Sequence, residues 1–175
     1  TMPSRPAIRK NEPSDSESFT TRAMVKTRGF RLIWLWELTI QTGGLMIIGH
    51  IVPYAVEQGA SSVQAGMAMG LYAVFNGFGR LLFGTLYDTA GFRYAMLGNA
   101  LCMLTGLLLL AFLPSRTGYA GLILAVTFIA LAFGGTIPQF SAYIAQNFGP
   151  AHLQSNLGMT ATVFIVTGFS GPFMG

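Results

Sequence analysis

The sequence predicts an all-α protein, a polytopic bundle of long helices that cross a membrane. Charged residues make up only 9% of the 175 positions and the AVILMFWYC set 52%, so too little polar surface exists to cover a water-facing globule. Five stretches each approach the roughly 20 apolar residues that a helix needs to span a bilayer. Alternation of apolar and polar residues at a strand period is absent, which argues against a membrane barrel.

The first element is a polar segment, residues 1–29. It is rich in Pro, Ser and charge, it carries nine of the 16 charged residues of the chain, and it has no apolar run. These properties predict a mobile segment outside the membrane rather than a signal peptide. Residues 30–175 are then predicted to form the transmembrane part.

The five predicted spans are separated by short stretches of helix-breaking residues. Ser62 and Ser155 are placed to act as N-caps of the second and fifth spans. Connections this short predict that consecutive helices run antiparallel. The spans are expected near residues 31–52, 63–86, 94–113, 119–140 and 155–175.

The distribution of basic residues predicts the orientation. One side holds most of them, namely Arg5, Arg9, Lys10, Arg22, Lys26, Arg28, Arg31 and Arg93. The opposite side holds only Arg116, and basic loops stay in the cytoplasm. We therefore expect a multi-pass protein of the cell membrane whose N-terminal segment is cytoplasmic. Five spans would then leave Gly175 near the outer face, inside an apolar stretch, as expected of a truncated sequence.

Several classes of function are disfavoured by composition. The net charge of +4 comes mostly from the polar segment and suits an anionic membrane surface, with no basic patch interleaved with aromatics for nucleic acid. Cys102 is alone, and His50 and His152 fall on opposite sides of the predicted membrane, so no metal site is expected. No P-loop pattern or other cofactor motif occurs. An enzyme would need a catalytic cluster, yet the spans offer only Glu37 and Arg80.

Arg80 is the most informative residue of the predicted spans. If Asp88 marks the cytoplasmic boundary, Arg80 lies about 12 Å further in, close to the middle of the bilayer. An arginine at that depth usually faces a bundle interior or an aqueous cavity. Asn76 and Gly84 lie one turn to either side of it and complete a polar, open helical face. We interpret Arg80 and Asn76 as substrate-binding residues for an anion, with a structural ion pair as the alternative.

The first span contains two further candidates. Glu37 is the only carboxylate inside a predicted span and is a candidate for proton coupling or for pairing with Arg80. Its nearness to Arg31 favours a simpler interpretation, a carboxylate at the membrane interface. Gln41, followed by small residues, is a candidate substrate-binding residue in a cavity wall, with helix packing as the alternative.

The connection between the second and third spans carries a recognisable motif. Its sequence GTLYDTAGFR, residues 84–93, has the spacing G-x-L-x-D-x-x-G-x-R and resembles the loop signature of the major facilitator superfamily. In that family the acidic and basic residues help to hold neighbouring helix ends in one gating state. The resemblance implies a gating loop formed by Gly84, Asp88, Gly91 and Arg93, with a simple solvated turn as the alternative.

Longer stretches narrow the resemblance. GLMIIGHIVPYAVEQGAS, NGFGRLLFGTLYD and NLGMTATVFIVTGFSGP are similar to the C-terminal half of oxalate/formate antiporter-like and monocarboxylate transporter-like members. The resemblance implies that the five spans are helices seven to eleven of a twelve-helix fold. An N-terminal half is then missing from this chain. It also implies that Arg80 contacts the carboxylate of the substrate.

Two departures refine the expected substrate. Oxalate-type members carry a lysine in the eleventh helix where this chain has Phe164, so a second substrate carboxylate is poorly supported. Monocarboxylate transporters carry an aspartate where this chain has Asn76, which does not ionise. The prediction is secondary active transport of a small organic anion, a monocarboxylate, by antiport or symport. The alternatives are a different solute, or a non-transporting receptor or scaffold on the same fold.

Overall fold

A computed structural model of the protein describes residues 18–173, except for the side chain at position 172. Within this range all regular secondary structure is α-helical, which confirms the predicted all-α bundle. The helices are α1 (Thr21–Met24), α2 (Arg28–Glu57), α3 (Ser62–Ala90), α4 (Phe92–Phe112), α5 (Pro114–Thr117), α6 (Tyr119–Phe148), α7 (Leu153–Thr160) and α8 (Thr162–Phe173).

Helix α6 is the centre of the bundle. It packs most extensively against α3 and α4 and also contacts α2, whereas the main partner of α2 is α8. In the most apolar stretch of 18 residues, 56% of α6 is buried but only 22% of α4. Helix α4 therefore lies at the outside of the bundle. The largest core cluster joins α2, α3, α4 and α6 through side chains such as Ile47, Tyr72, Met103 and Ile129.

Glycines allow α3 and α6 to touch along their backbones. A Cβ atom at Gly134 would overlap the backbone carbonyl of Asn76, and one at Gly79 would overlap the backbone carbonyl of Leu131. Small residues let helices approach closely in lipid, where packing rather than water exclusion drives their association. By contrast, Gly66, Gly70 and Gly77, whose spacing also looks suited to packing, have no atom within 4 Å of a built Cβ.

Two helices run beyond the predicted ends of their spans. Helix α2 continues through Pro53 to Glu57, and α6 continues through Pro138 to Phe148. The extra turns of α6 are buried, because Ile144 and Phe148 pack in a second core cluster with Phe30 near the start of α2. Tertiary packing therefore extends these helices past positions where local sequence alone suggests that they end.

The N-caps differ from those expected at Ser62 and Ser155. Helix α3 is capped by Ser61 instead, whose hydroxyl accepts from Gln64 N (3.3 Å) while Gln64 Oε1 accepts from Ser61 N (2.9 Å). This reciprocal pair is a capping box, which leaves Ser62 as the first helical residue. Ser155 lies inside α7, which begins at Leu153 after His152.

The described part of the polar segment is partly ordered. Phe19 N donates to the carbonyl of Phe148 (2.9 Å), and the side chain of Asn156 bridges to the carbonyl of Phe19 (3.1 Å) and the hydroxyl of Thr21 (2.9 Å). Met24 in α1 is fully buried. The apolar residues Phe19 and Met24 thus dock this stretch on α6 and α7, whereas residues 1–17 lie outside the described residues.

The membrane-spanning capacity of the helices is unequal. Among the described residues, α2, α4 and α6 are long and apolar enough to cross a bilayer by length and composition. Helix α3 has 29 residues but includes Asn76 and Arg80, and the stretch predicted as the fifth span is divided into α7 and α8 at Ala161. Helix α3 falls short because of these polar residues, whereas α7 and α8, with 8 and 12 residues, are each too short to span a bilayer.

The close contact between α3 and α6 predicts that a larger residue at Gly134 lowers the stability of the bundle. Gly134→Ala is expected to destabilise the bundle by about 1–3 kcal/mol, because the added methyl group would overlap the backbone carbonyl of Asn76, which is fixed within α3. Gly70→Ala is the matched control, since open space surrounds that position. Its expected effect is neutral or slightly stabilising, as alanine is the better helix former. Thermal unfolding of the detergent-solubilised variants measures both, and equal Tm values would contradict the assigned contact.

Candidate functional site

One side of α3 carries the candidate anion-binding residues. Arg80 is exposed, and Asn76 and Gly84, one turn before and after it, are half-buried. We call these three residues the Arg80 surface. Residues four apart on a helix are neighbours, so Asn76 and Gly84 each lie one turn from Arg80.

The packing of α3 on α6 determines the direction in which Arg80 points. Gly79 lies directly against the backbone of α6 at Leu131, which turns the next residue, Arg80, away from α6. One turn later, a Cβ at Gly84 would lie 3.8 Å from the Cβ atom of Pro138, an ordinary contact. The rotation of α3 is thus fixed on both sides of Arg80.

The exposed side chains next to Arg80 on α3 are apolar. Phe78, Leu81 and Leu82 are 57%, 69% and 53% exposed. Among residues 18–173, no acidic side chain forms an ion pair with Arg80. The alternative of a structural ion pair is therefore not observed within the described part of the chain. A lone cation in such a surface is suited to bind an external anion, bidentately if that anion is a carboxylate.

An apolar groove adjoins Asn76. Its volume is about 310 Å³ and its lining residues are Ile48, Met69, Tyr72, Ala73 and Asn76. The hydroxyl of Tyr72 donates to the carbonyl of Gly44 (3.1 Å), so this ring is held between α2 and α3. The groove thus combines a rigid apolar wall with one amide, one turn from the guanidinium of Arg80.

Gln41 lies in the interior and not on the Arg80 surface. It is fully buried, and its Nε2 atom donates to Thr136 Oγ1 (3.1 Å) and to Glu37 Oε1 (3.4 Å). Its Oε1 atom is buried without a hydrogen-bond partner. The structure therefore groups Gln41 with Glu37 and with α6, apart from Asn76 and Arg80.

Glu37 is buried inside the bundle. Only 2% of its surface is exposed, and its Oε2 atom has no hydrogen-bond partner. Within the described residues Gln41 is the hydrogen-bond partner of this carboxylate, and pairing with Arg80 is not observed there. A buried carboxylate oxygen without a donor is costly, since it has lost its hydration, and such residues in membrane proteins are usually functional.

The motif at residues 84–93 forms a tight connection in which Gly91 alone separates α3 from α4. Gly91 has φ 87° and ψ 166°, a conformation open essentially to glycine alone. Asp88 lies in the last turn of α3, and Arg93, in the first turn of α4, places its guanidinium 5.8 Å from the ring centroid of Phe92. Each charge occupies the helix end at which the macrodipole disfavours its sign, so helix stability does not explain these charges.

Comparison with known families identifies the fold. The sequence model of the Major Facilitator Superfamily matches residues 2–172, nearly the whole chain. The chain belongs to the major facilitator superfamily. It is therefore a multi-pass membrane protein, and the family predicted from the sequence is confirmed.

Among characterised members of the superfamily, the chain is similar to an oxalate:formate antiporter from Oxalobacter formigenes. The two are 24% identical over 174 residues, which cover 93% of this chain and 40% of the relative. The chain thus spans about two fifths of the length of the relative that it matches.

Sequence reasoning missed several polar residues of this superfamily member. Thr136, buried in α6, joins α2 to α6 through Gln41, and Ser141 and Thr160 line a cavity together with Glu37. Their common signal is a small hydroxyl residue within an apolar helix. That signal is weak, because the hydroxyls of threonine and serine in helices also donate to a backbone carbonyl one turn earlier. Thr127, for example, donates to the carbonyl of Ile123 (2.9 Å).

The backbone at Gly91 makes a prediction about the connection between α3 and α4. Gly91→Ala is expected to cost about 1–3 kcal/mol of stability, since an L-residue is strained at this φ and ψ. Gly66→Ala, at an open helical position, is the control and is expected to leave Tm unchanged or slightly raised. Thermal unfolding of the purified variants gives the comparison. Tolerance of alanine at both positions would show that the connection adopts another conformation.

Proposed function

We propose that the protein containing this chain is a secondary active transporter that carries a small organic anion, a monocarboxylate, across the cell membrane by alternating access. The observation that carries this proposal is Arg80, an exposed cation on an apolar helix surface with no ion pair among residues 18–173. Family membership and the similarity to an oxalate:formate antiporter support a carboxylate as the ligand.

The position of Arg80 favours a water-filled cavity over contact with lipid. A charged side chain facing hydrocarbon in the middle of a bilayer costs several kcal/mol. The apolar residues around it are exposed in this chain and need a partner surface. Both requirements are met if the Arg80 surface faces a second half of the transporter, with the substrate bound between the halves near the midplane.

The surroundings of Arg80 favour a substrate with one carboxylate and a short apolar body. Asn76 adds an amide that hydrogen-bonds without adding charge, and the adjoining groove offers Ile48, Met69 and Tyr72 as an apolar wall. A volume of about 310 Å³ is at the lower end of ligand pockets, as suits a small molecule. In the resemblance to oxalate-type members, Phe164 replaces their lysine in the eleventh helix, which disfavours a dianion.

The other candidate residues have roles in the transport cycle. Gly84, Asp88, Gly91 and Arg93 are proposed to form a gating loop, in which two charges at helix ends engage another part of the transporter in one conformation. Glu37 is proposed for proton coupling, because a buried carboxylate beside a cavity can take up a proton from that cavity and release it again. Gln41, hydrogen-bonded to Glu37, is proposed to act through that carboxylate. The bias of basic residues toward one side supports a cytoplasmic N-terminal segment.

The proposal is tested by transport measurements on the full-length gene product in proteoliposomes. Arg80→Gln is expected to weaken uptake of labelled monocarboxylates by about 30- to 1,000-fold in apparent affinity, the loss of roughly 2–4 kcal/mol of charge-assisted hydrogen bonding. Arg80→Lys is expected to retain part of the activity, because it keeps the charge and loses the bidentate geometry.

Arg116→Gln provides the matched control, since this arginine is also exposed but lies in α5, between α4 and α6. Its expected uptake equals that of the wild type. Undiminished transport by Arg80→Gln would refute the assigned role. Absence of any carboxylate transport by the wild type, with intact folding, would favour a different solute or a receptor on the same fold.

A further inference from the structure

A second polar site lies on the other side of α6 from Arg80. It is a cavity of about 150 Å³ between α2, α6 and the junction of α7 with α8. Its polar lining residues are Glu37, Ser141 and Thr160, of which Thr160 donates its hydroxyl to the carbonyl of Leu157. Ile137 and Phe164 also line it and are 44% and 42% exposed, so the cavity reaches the surface of the described bundle.

The carboxylate that lines this cavity lacks a full set of partners. Glu37 Oε1 accepts one long hydrogen bond from Gln41, at 3.4 Å, and Oε2 accepts none. Gln41 Oε1 is also buried without a partner. Both unpartnered atoms are oxygens, so the group needs a cation or a hydrogen-bond donor rather than an anion.

The helix break contributes to the same wall. Helix α7 ends at Thr160 and α8 begins at Thr162, and both Thr160 and Ala161 line the cavity. At the break one backbone hydrogen bond joins residues three apart instead of four, since Phe164 N donates to the carbonyl of Ala161 at 3.0 Å. Helix C-terminal ends carry partial negative charge, and transporters use such breaks within membrane helices to coordinate Na⁺.

The charge of the lining specifies the ligand class. No basic side chain lines the cavity within the described range, and Glu37 is its only acidic residue. Residues 18–173 also contain no group of three His, Cys, Asp or Glu side chains of the kind that holds a transition metal. One carboxylate with hydroxyl oxygens balances a single positive charge and supplies hard oxygen ligands.

The cavity is separate from the proposed anion site. Thr136 faces Gln41 on the α2 side of α6, whereas Leu131 and Pro138 face Gly79 and Gly84 on the α3 side. Glu37 and Arg80 thus lie on opposite sides of α6 and form no ion pair within the described chain. A cation bound at Glu37 would leave Arg80 free to bind an anion.

We propose that this cavity binds a small monovalent cation, with Na⁺ as its natural probe, through Glu37 Oε2 and the hydroxyls of Ser141 and Thr160. This inference goes beyond the proposed anion transport and stands without it, because the cation binds whether or not a carboxylate occupies the Arg80 surface. A proton bound to Glu37 would compete with this cation for the same oxygen.

The test uses the full-length gene product, purified without Na⁺ in choline chloride and with no organic anion present. Addition of NaCl is expected to raise Tm in a saturable way, while the same concentration of choline chloride is not, since a ligand that binds only the native state stabilises it. Binding of ²²Na⁺ under the same conditions gives the affinity directly. Both readouts are independent of transport, so they remain valid even if the transport role proposed for Arg80 is refuted.

Three variants assign the site. Glu37→Gln is expected to abolish the response to Na⁺, and Ser141→Ala to weaken the apparent affinity about tenfold, the loss of one contact between an ion and a hydroxyl. Glu57→Gln is the matched control, because Glu57 ends the same helix and is exposed, away from this cavity. It should respond to Na⁺ like the wild type.

Several outcomes would overturn the inference. Equal Tm in NaCl and choline chloride, together with no bound ²²Na⁺, would leave Glu37 as a site for a proton alone. An unchanged response in Glu37→Gln, or the same loss in Glu57→Gln, would place the ion elsewhere. If Glu37→Gln does not fold, Ser141→Ala decides the question, and an unchanged Na⁺ affinity in that variant refutes the proposal.

Discussion

The close contact between α3 and α6 is the constraint on which the rest of the structure depends. At Gly79 and Gly134 the two backbones touch, with no room for a Cβ atom on either helix. In lipid, helices gain little from excluding water, so an extended backbone contact of this kind is a main source of association. It also fixes the rotation of α3, and a residue adjacent to the contact, Arg80, is thereby directed outward. The packing that stabilises the bundle thus also orients its candidate anion site.

Helix α6 separates the polar residues of the chain into two regions. On its α3 side, the Arg80 surface is exposed, carries a positive charge and adjoins an apolar groove. On its α2 side, Glu37 and Gln41 are buried and bring unpartnered oxygens next to a small cavity. Opposite charges in a medium of low dielectric attract strongly, so keeping them apart leaves each available for an external ion. Such a division suits a protein in which two ligands of opposite charge bind without neutralising each other.

Buried polar groups in a membrane protein need a reason, because hydrocarbon offers them no hydrogen bonds. Several here have an evident structural one: Thr136 links α6 to α2 through Gln41, and the side chain of Asn99 donates to the carbonyl of Ala132 (2.9 Å) and so joins α4 to α6. Glu37 Oε2 has no such partner. The break between α7 and α8 lies beside it, where the backbone departs from regular helix. The coincidence of an unpartnered carboxylate, a cavity and a helix break makes this region the second functional candidate.

The amino-acid sequence by itself determined the helical membrane architecture and the family. It also singled out Arg80, because apolar runs, breaker residues and a rare intramembrane charge are local properties of the chain. It misjudged the ends of α2 and α6, since Ala55 near the end of α2 and the last turns of α6 pack against residues distant in sequence. Only the tertiary structure decided that Glu37 is buried beside Gln41 and Thr136, and that Gly79 and Gly134 form the helix contact. The physical reason is that burial and partnership depend on the rotation of one helix against another, which periodicity within a single helix does not specify.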